Sequence, residues 1–212
     1  MLGSSDGLVA VLAFVAGVSA SLGARRTILL AGIAEMFAGA TSMGLGAYLG
    51  AKSEREFYDR ELAREKLEIV EMPHEEREEI RQIYRKKGFT GSQLEMVVDT
   101  ITEDRDRWLK VMMHEELGFS KGGGIPPLRS GIAMALAYVV GAAIPILPYA
   151  VIPGRGAFVV SVAGTLGALF AVGAWKARLT QRAWWKAGAE MSVAGALGTL
   201  VCYLIATGIA RI

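Results

Sequence analysis

Five stretches of this 212-residue chain are long and apolar enough to cross a lipid bilayer. They cover residues 7–24, 27–51, 130–154, 156–175 and 187–210, and the only charged residues inside them are Glu35 and Glu190. All but Asp6, Glu35 and Glu190 of the 21 acids fall between residues 52 and 129, together with 15 of the 23 basic residues. Backbone amides in hydrocarbon must be satisfied within the chain, so such stretches fold as helices. The expected fold is therefore all-α. Residues 1–51 supply transmembrane helices one and two, 52–124 a cytoplasmic helical insertion, and 125–212 transmembrane helices three to five.

This partition excludes a disordered chain and a single soluble core. A net charge of +2 excludes a nucleic-acid binder built on excess positive charge. One cysteine, Cys202 in an apolar stretch, rules out a disulfide framework and a Cys-based zinc site. Ser19-Ala20-Ser21 has the small-residue look of a signal-peptidase site, but no Lys or Arg precedes the first apolar run and Asp6 sits where positive charge belongs. That run is expected to stay as a span.

Orientation follows from Lys and Arg near the span ends. The loop 176–186 carries Lys176, Arg178, Arg182 and Lys186, with Trp184 and Trp185 as interfacial anchors. The opposite side has Arg25, Arg26, Arg155 and Arg211. The N-terminus and the insertion are expected inside, the C-terminus outside.

No proline occurs between Met1 and Met72, and the second apolar run passes directly into strongly helix-forming sequence. One helix over 27–70 would be roughly 66 Å long. Pro73 ends it, a second insertion helix runs from His74 to Lys87 before Gly88, and a third is expected over 92–117, ahead of Gly122-Gly123-Gly124.

Acids within a span are costly and mark candidate sites. Glu35 lies deep in the second span, whereas Asp6 and Glu190 are near enough to an end to reach headgroups, and a structural role is expected for Glu190. Two turns beyond Glu35, Met43 adds a thioether, and the pair of oxygen and soft sulfur donors suits a transition-metal ion. The alternative is a packing helix, since Gly46 and Gly50 make a GxxxG step. In the insertion, Glu61, Glu65 and Glu68 share one helix face, Glu76 and Glu79 another, and Met112, Met113 and Glu116 a third. Spacing leaves two readings open: solvated faces with i,i+4 pairs, or carboxylates converging on metal as in ferritin-like bundles. No metalloprotease, Cys-x-x-Cys, nucleophile-elbow, phosphate-loop or dinucleotide motif is present, so enzymatic function has little support.

The chain resembles the vacuolar iron transporter family over nearly its whole length. The resemblance is carried by Asp6-Gly7-Leu8 with Ala16-Gly17-Val18, by Ala38-Gly39-Ala40-Thr41-Ser42-Met43-Gly44 running on to Tyr48 and Lys52-Ser53, and by the acidic stalk. It continues in Ile83-Tyr84-Arg85-Lys86-Lys87-Gly88-Phe89, in Met112-Met113-His114-Glu115-Glu116-Leu117-Gly118, and in Pro145 and Pro148. It implies a five-span homodimer, with no prosthetic group, that moves Fe²⁺ out of the cytosol in exchange for protons. By the same resemblance Asp6, Glu35 and Met43 belong to the translocation pathway. Glu65, Glu68, Glu76, Glu79, Met112, Met113 and Glu116 belong to a cytoplasmic metal cluster. Mn²⁺ as cargo, and a membrane-anchored metal-binding or sensing protein without transport, are the alternatives. The five residues before Asp6 leave no sorting extension, which favours a prokaryotic cell membrane over a vacuolar one as the expected location.

Overall fold

The computed structural model describes residues 2–22, 24–119, 124–154 and 156–209. Gly122, Gly123, Arg155 and Arg211, named above, lie outside them. The described residues are helical, without strands: α1 Leu2–Leu22, α2 Arg25–Glu71, α3 Pro73–Lys86, α4 Gly91–Thr102, α5 Arg105–Val111, a π-helical turn Met112–Glu116, α6 Pro127–Val151, α7 Gly156–Thr180 and α8 Trp184–Ile209. Five of these, α1, α2, α6, α7 and α8, are long and apolar enough to span a membrane. The protein is an integral membrane protein.

The chain divides into two compact units, one of residues 1–48 with 128–212, the other of residues 49–127. In the first unit the helices approach through glycine. A Cβ on Gly7 would fall 2.4 Å from the Tyr138 carbonyl oxygen, and one on Gly141 2.2 Å from that of Ser4, so α1 and α6 meet backbone to backbone. Close approach at small residues is how helices gain packing energy where lipid removes the hydrophobic driving force. Val11, Val15, Ile28, Tyr138, Ala142 and Ile146 form the buried cluster between α1, α2 and α6.

Pro145 and Pro148 stand inside α6. Each lacks an amide hydrogen and leaves a carbonyl one turn earlier unbonded. Ser161 of α7 donates to the Pro145 carbonyl at 2.7 Å. At the end of α6, Arg25 Nε donates to the Tyr149 carbonyl at 2.6 Å and a second guanidinium nitrogen to that of Ala150. A cation on the last carbonyls complements the helix dipole.

The second unit packs α3, α4, α5 and the π-turn with the end of α2 around Ile69, Ile80, Leu94, Val98, Trp108, Leu109 and Met112. Pro73 takes the first position of α3, where its missing N–H costs nothing, with Glu75 and Glu76 in the first turn and Arg85 and Lys86 in the last. The single helix expected over 92–117 is a correction. The chain breaks at Glu103-Asp104, because Asp104 takes extended backbone and its carboxylate accepts from the Arg107 amide at 2.7 Å, capping a new helix. The final stretch then widens into a π-turn.

Candidate metal centre

Three elements bring the acids of the insertion together. Glu65 and Glu68 lie in the last two turns of α2, Glu76 and Glu79 in the first turns of α3, and Glu116 closes the π-turn. One carboxylate oxygen each from Glu65, Glu68 and Glu76 lies within 4.8 Å of the others, and among the described residues this is the one such trio of acidic, His or Cys groups. Glu65 is 1% exposed and Glu76 5%. Glu65 Oε1 and Glu76 Oε2 are buried without a hydrogen-bond partner. Buried polar atoms are rarely left orphaned in a native fold, and two on converging carboxylates suit a cation.

The electrostatics agree with that reading. Burial pushes Glu65 up to about 8, reinforced by its hydrogen bond to Glu76 and the charges of Glu116, Glu76 and Glu68. Burial also raises Glu76, while the proton donated by Glu65 opposes that rise. Glu116 is much more open to water, yet its carboxyl is pushed up to about 7 by desolvation, then by the charges of Glu79 and Glu76 and a hydrogen bond with Glu79. Five of the seven residues that the resemblance assigns to a metal cluster, Glu65, Glu68, Glu76, Glu79 and Glu116, thus form one interacting set. Met112 and Met113 are buried in the adjoining apolar cluster with Ile69 and Ile80, which follow Glu68 and Glu79 on their helices. π-turns recur where a helix must re-aim side chains at a site. Arg64 counters the acids from the rim, 2.8 Å from Glu61 and 3.6 Å from Glu68. His114 is exposed, its Nδ1 3.0 Å from the Phe119 carbonyl oxygen.

In the spanning unit, Glu35, Gly39 and Met43 follow one another at one-turn intervals on one face of α2. Glu35 and Met43 are half-buried and Asp6 is exposed. The sequence reading missed Tyr138. Its ring is 3% exposed and lies against Gly39, where a Cβ would meet the hydroxyl oxygen at 2.2 Å. The hydroxyl comes within reach of the Glu35 carboxylate, with Asp6 close enough to act on it electrostatically. Tyr138 thereby ties Glu35, Asp6 and the Met43 face together; its signal in the sequence was a hydroxyl midway along an apolar span. Glu190, on α8, is exposed beside a separate cavity with Lys176 and Arg182.

The model of the VIT family matches residues 1–207. "Vacuolar iron transporter 1" of Arabidopsis thaliana is 40% identical over 207 residues, covering 97% of this chain and 83% of the relative. "Vacuolar iron transporter 1" of Tulipa gesneriana is 40% identical over 210 residues, covering 99% and 85%. "Vacuolar iron transporter" of Plasmodium falciparum is 29% identical over 215 residues, covering 97% and 79%. Matched along nearly its full length by the family model and by these relatives, the chain belongs to the VIT family.

Proposed function

We propose that this protein is a transporter, not an enzyme, that exports Fe²⁺ from the cytosol in exchange for protons. The observation that carries the reading is the trio Glu65, Glu68 and Glu76, in which Glu65 and Glu76 are buried and each has a carboxylate oxygen lacking a partner. The iron transport named for the relatives supplies the cargo.

In this reading the 49–127 insertion is cytoplasmic and captures the ion. Glu65, Glu68, Glu76, Glu79 and Glu116 supply hard oxygen donors, and Met112 and Met113 supply soft sulfur, a combination that favours Fe²⁺ over Mg²⁺ or Ca²⁺. Binding expels the protons that the cluster holds when empty. The ion then passes to Met43 and Glu35, with Asp6 on the same pathway. Inside a span a carboxylate is stable as the neutral acid or as the partner of a cation, so Glu35 carries one or the other through each half of an alternating-access cycle. Tyr138 holds the Glu35 carboxylate in place. Two copies form the working unit through α1 and α2. The same machinery serves a cell membrane or a vacuolar one, since both take metal from the cytosol.

Metal-sensitive cells expressing the protein test this reading. Survival in toxic Fe²⁺ that Glu35→Gln abolishes is the expected result. Protection confined to Mn²⁺ would make it a manganese exporter, which a carboxylate-rich site also permits. Protection that survives Glu35→Gln would reduce the spans to an anchor for a metal-binding insertion.

A further inference from the structure

The turn between α7 and α8 carries a basic, aromatic-rimmed groove that transport does not use. Trp175 and Arg178 of α7, Arg182 of the connection and Trp184 of α8 line a cavity of about 490 Å³, completed by Ala171 and Ala174. The four larger side chains are exposed, Trp175 to 67% and Trp184 to 57%. Among the described residues no acid lines it, and neither Arg178 nor Arg182 joins any ion pair. Glu190 lines the neighbouring cavity that Arg182 also borders, without pairing to it.

The backbone holds this geometry. Gln181 lies in the left-handed region at φ 53°, and the Arg182 amide donates to the Ala177 carbonyl at 3.2 Å. That six-to-one closure ends α7 in a Schellman-type turn, which places Arg182 immediately beyond the helical turn carrying Arg178. Glycine normally takes the left-handed position; here an exposed glutamine does. On the α8 side Trp184 packs edge-on against Phe170, with centroids 6.1 Å apart, and Lys186 Nζ stands 5.4 Å over the Trp185 ring.

We propose that this groove binds an anionic phospholipid, with Arg178 and Arg182 on the headgroup phosphate and Trp175 and Trp184 against the glycerol and upper acyl chains. Both helices are spans, so the groove opens at headgroup depth, where indole rings concentrate and basic pockets between helices bind anionic headgroups. The two exposed indoles separate a lipid from a free phosphate, which has no apolar part to cover them. Topology alone asks for positive charge near a span end; it does not ask for two arginines and two indoles around one cavity.

The test titrates the purified full-length protein in neutral detergent with phosphatidylglycerol and, separately, phosphatidylcholine, counting bound lipid by native mass spectrometry. Each lost charge is worth about five-fold, so Arg178→Gln with Arg182→Gln should weaken phosphatidylglycerol binding about thirty-fold. Phosphatidylcholine binding should not change, and Arg178→Lys with Arg182→Lys should retain most of the affinity. An unchanged thermal unfolding transition of the full-length protein in the same detergent shows that the variants are folded. Wild-type affinity in the glutamine variant would overturn the proposal. So would an equal loss on removing two charges elsewhere, Arg26→Gln with Arg129→Gln, which would make the attraction a matter of net charge. Displacement of the lipid by millimolar inorganic phosphate would overturn it too, by making this a free-anion site.

Discussion

Replacing Glu65 with glutamine should stabilise the metal-free insertion at alkaline pH while removing a metal ligand. Glu65 is 1% exposed, and its carboxyl stands at about 8 in the folded chain against 4.5 for the unconstrained group. The folded state therefore keeps a proton that the unfolded state has already lost, and stability falls as pH rises from 4.5 to about 8. Between about pH 5.5 and about pH 8.5 that loss integrates to about 3 kcal/mol, with the full penalty for ionising the buried group about 5 kcal/mol. The glutamine side chain cannot ionise, and its amide can still donate to Glu76. The variant should retain the smaller alkaline losses due to Glu76 and Glu116 but not this one. Trp108 is buried in the insertion core and is the one tryptophan between residues 49 and 127. Its fluorescence, in a background with Trp175, Trp184 and Trp185 changed to Phe, follows urea unfolding of this unit alone. Parallel losses of stability in the parent and Glu65→Gln across that pH range would refute the electrostatic account of the cluster.

Other consequences are equally direct. Affinity for Co²⁺ or Mn²⁺ should rise as pH passes from below 7 to above 8, because Glu65 and Glu116 must lose protons to bind, and calorimetric heats should vary with buffer ionisation enthalpy to match the protons released. Gly39→Ala should disrupt the approach of α2 to α6, since its Cβ would overlap the Tyr138 ring, and lower both thermal stability and uptake. Tyr138→Phe keeps the ring and loses a hydrogen bond to a charged group, worth about 1.5–3 kcal/mol, so uptake should fall about ten-fold or more with the fold intact. Asp104→Ala removes a helix cap and should cost about 1 kcal/mol in the Trp108 transition.

Much of the architecture was legible because hydrocarbon is an exacting solvent. Charge-free runs of this length have few folds open to them, and the five expected spans match five helices to within a few residues at most ends. Pro73 and the charge gradient along α3 announced that helix equally plainly. The break before α5 was not seen because Glu103-Asp104 reads as ordinary helical surface until Asp104 is found capping the Arg107 amide. Spacing placed Glu65 and Glu68 on one face, but whether that face met Glu76 or water depended on how α3 folds back, which is a tertiary matter. Tyr138 stayed hidden for a related reason, since only the packing of α6 on Gly39 brings its hydroxyl to Glu35.

The most direct test of the central claim is Fe²⁺ uptake into proteoliposomes containing the purified protein, with and without an imposed pH gradient, reading metal and internal pH together. Gradient-dependent uptake, with protons moving opposite to the metal and both fluxes lost in Glu35→Gln, is the predicted result. Tight binding of Fe²⁺ to the protein with no flux under either condition would contradict it.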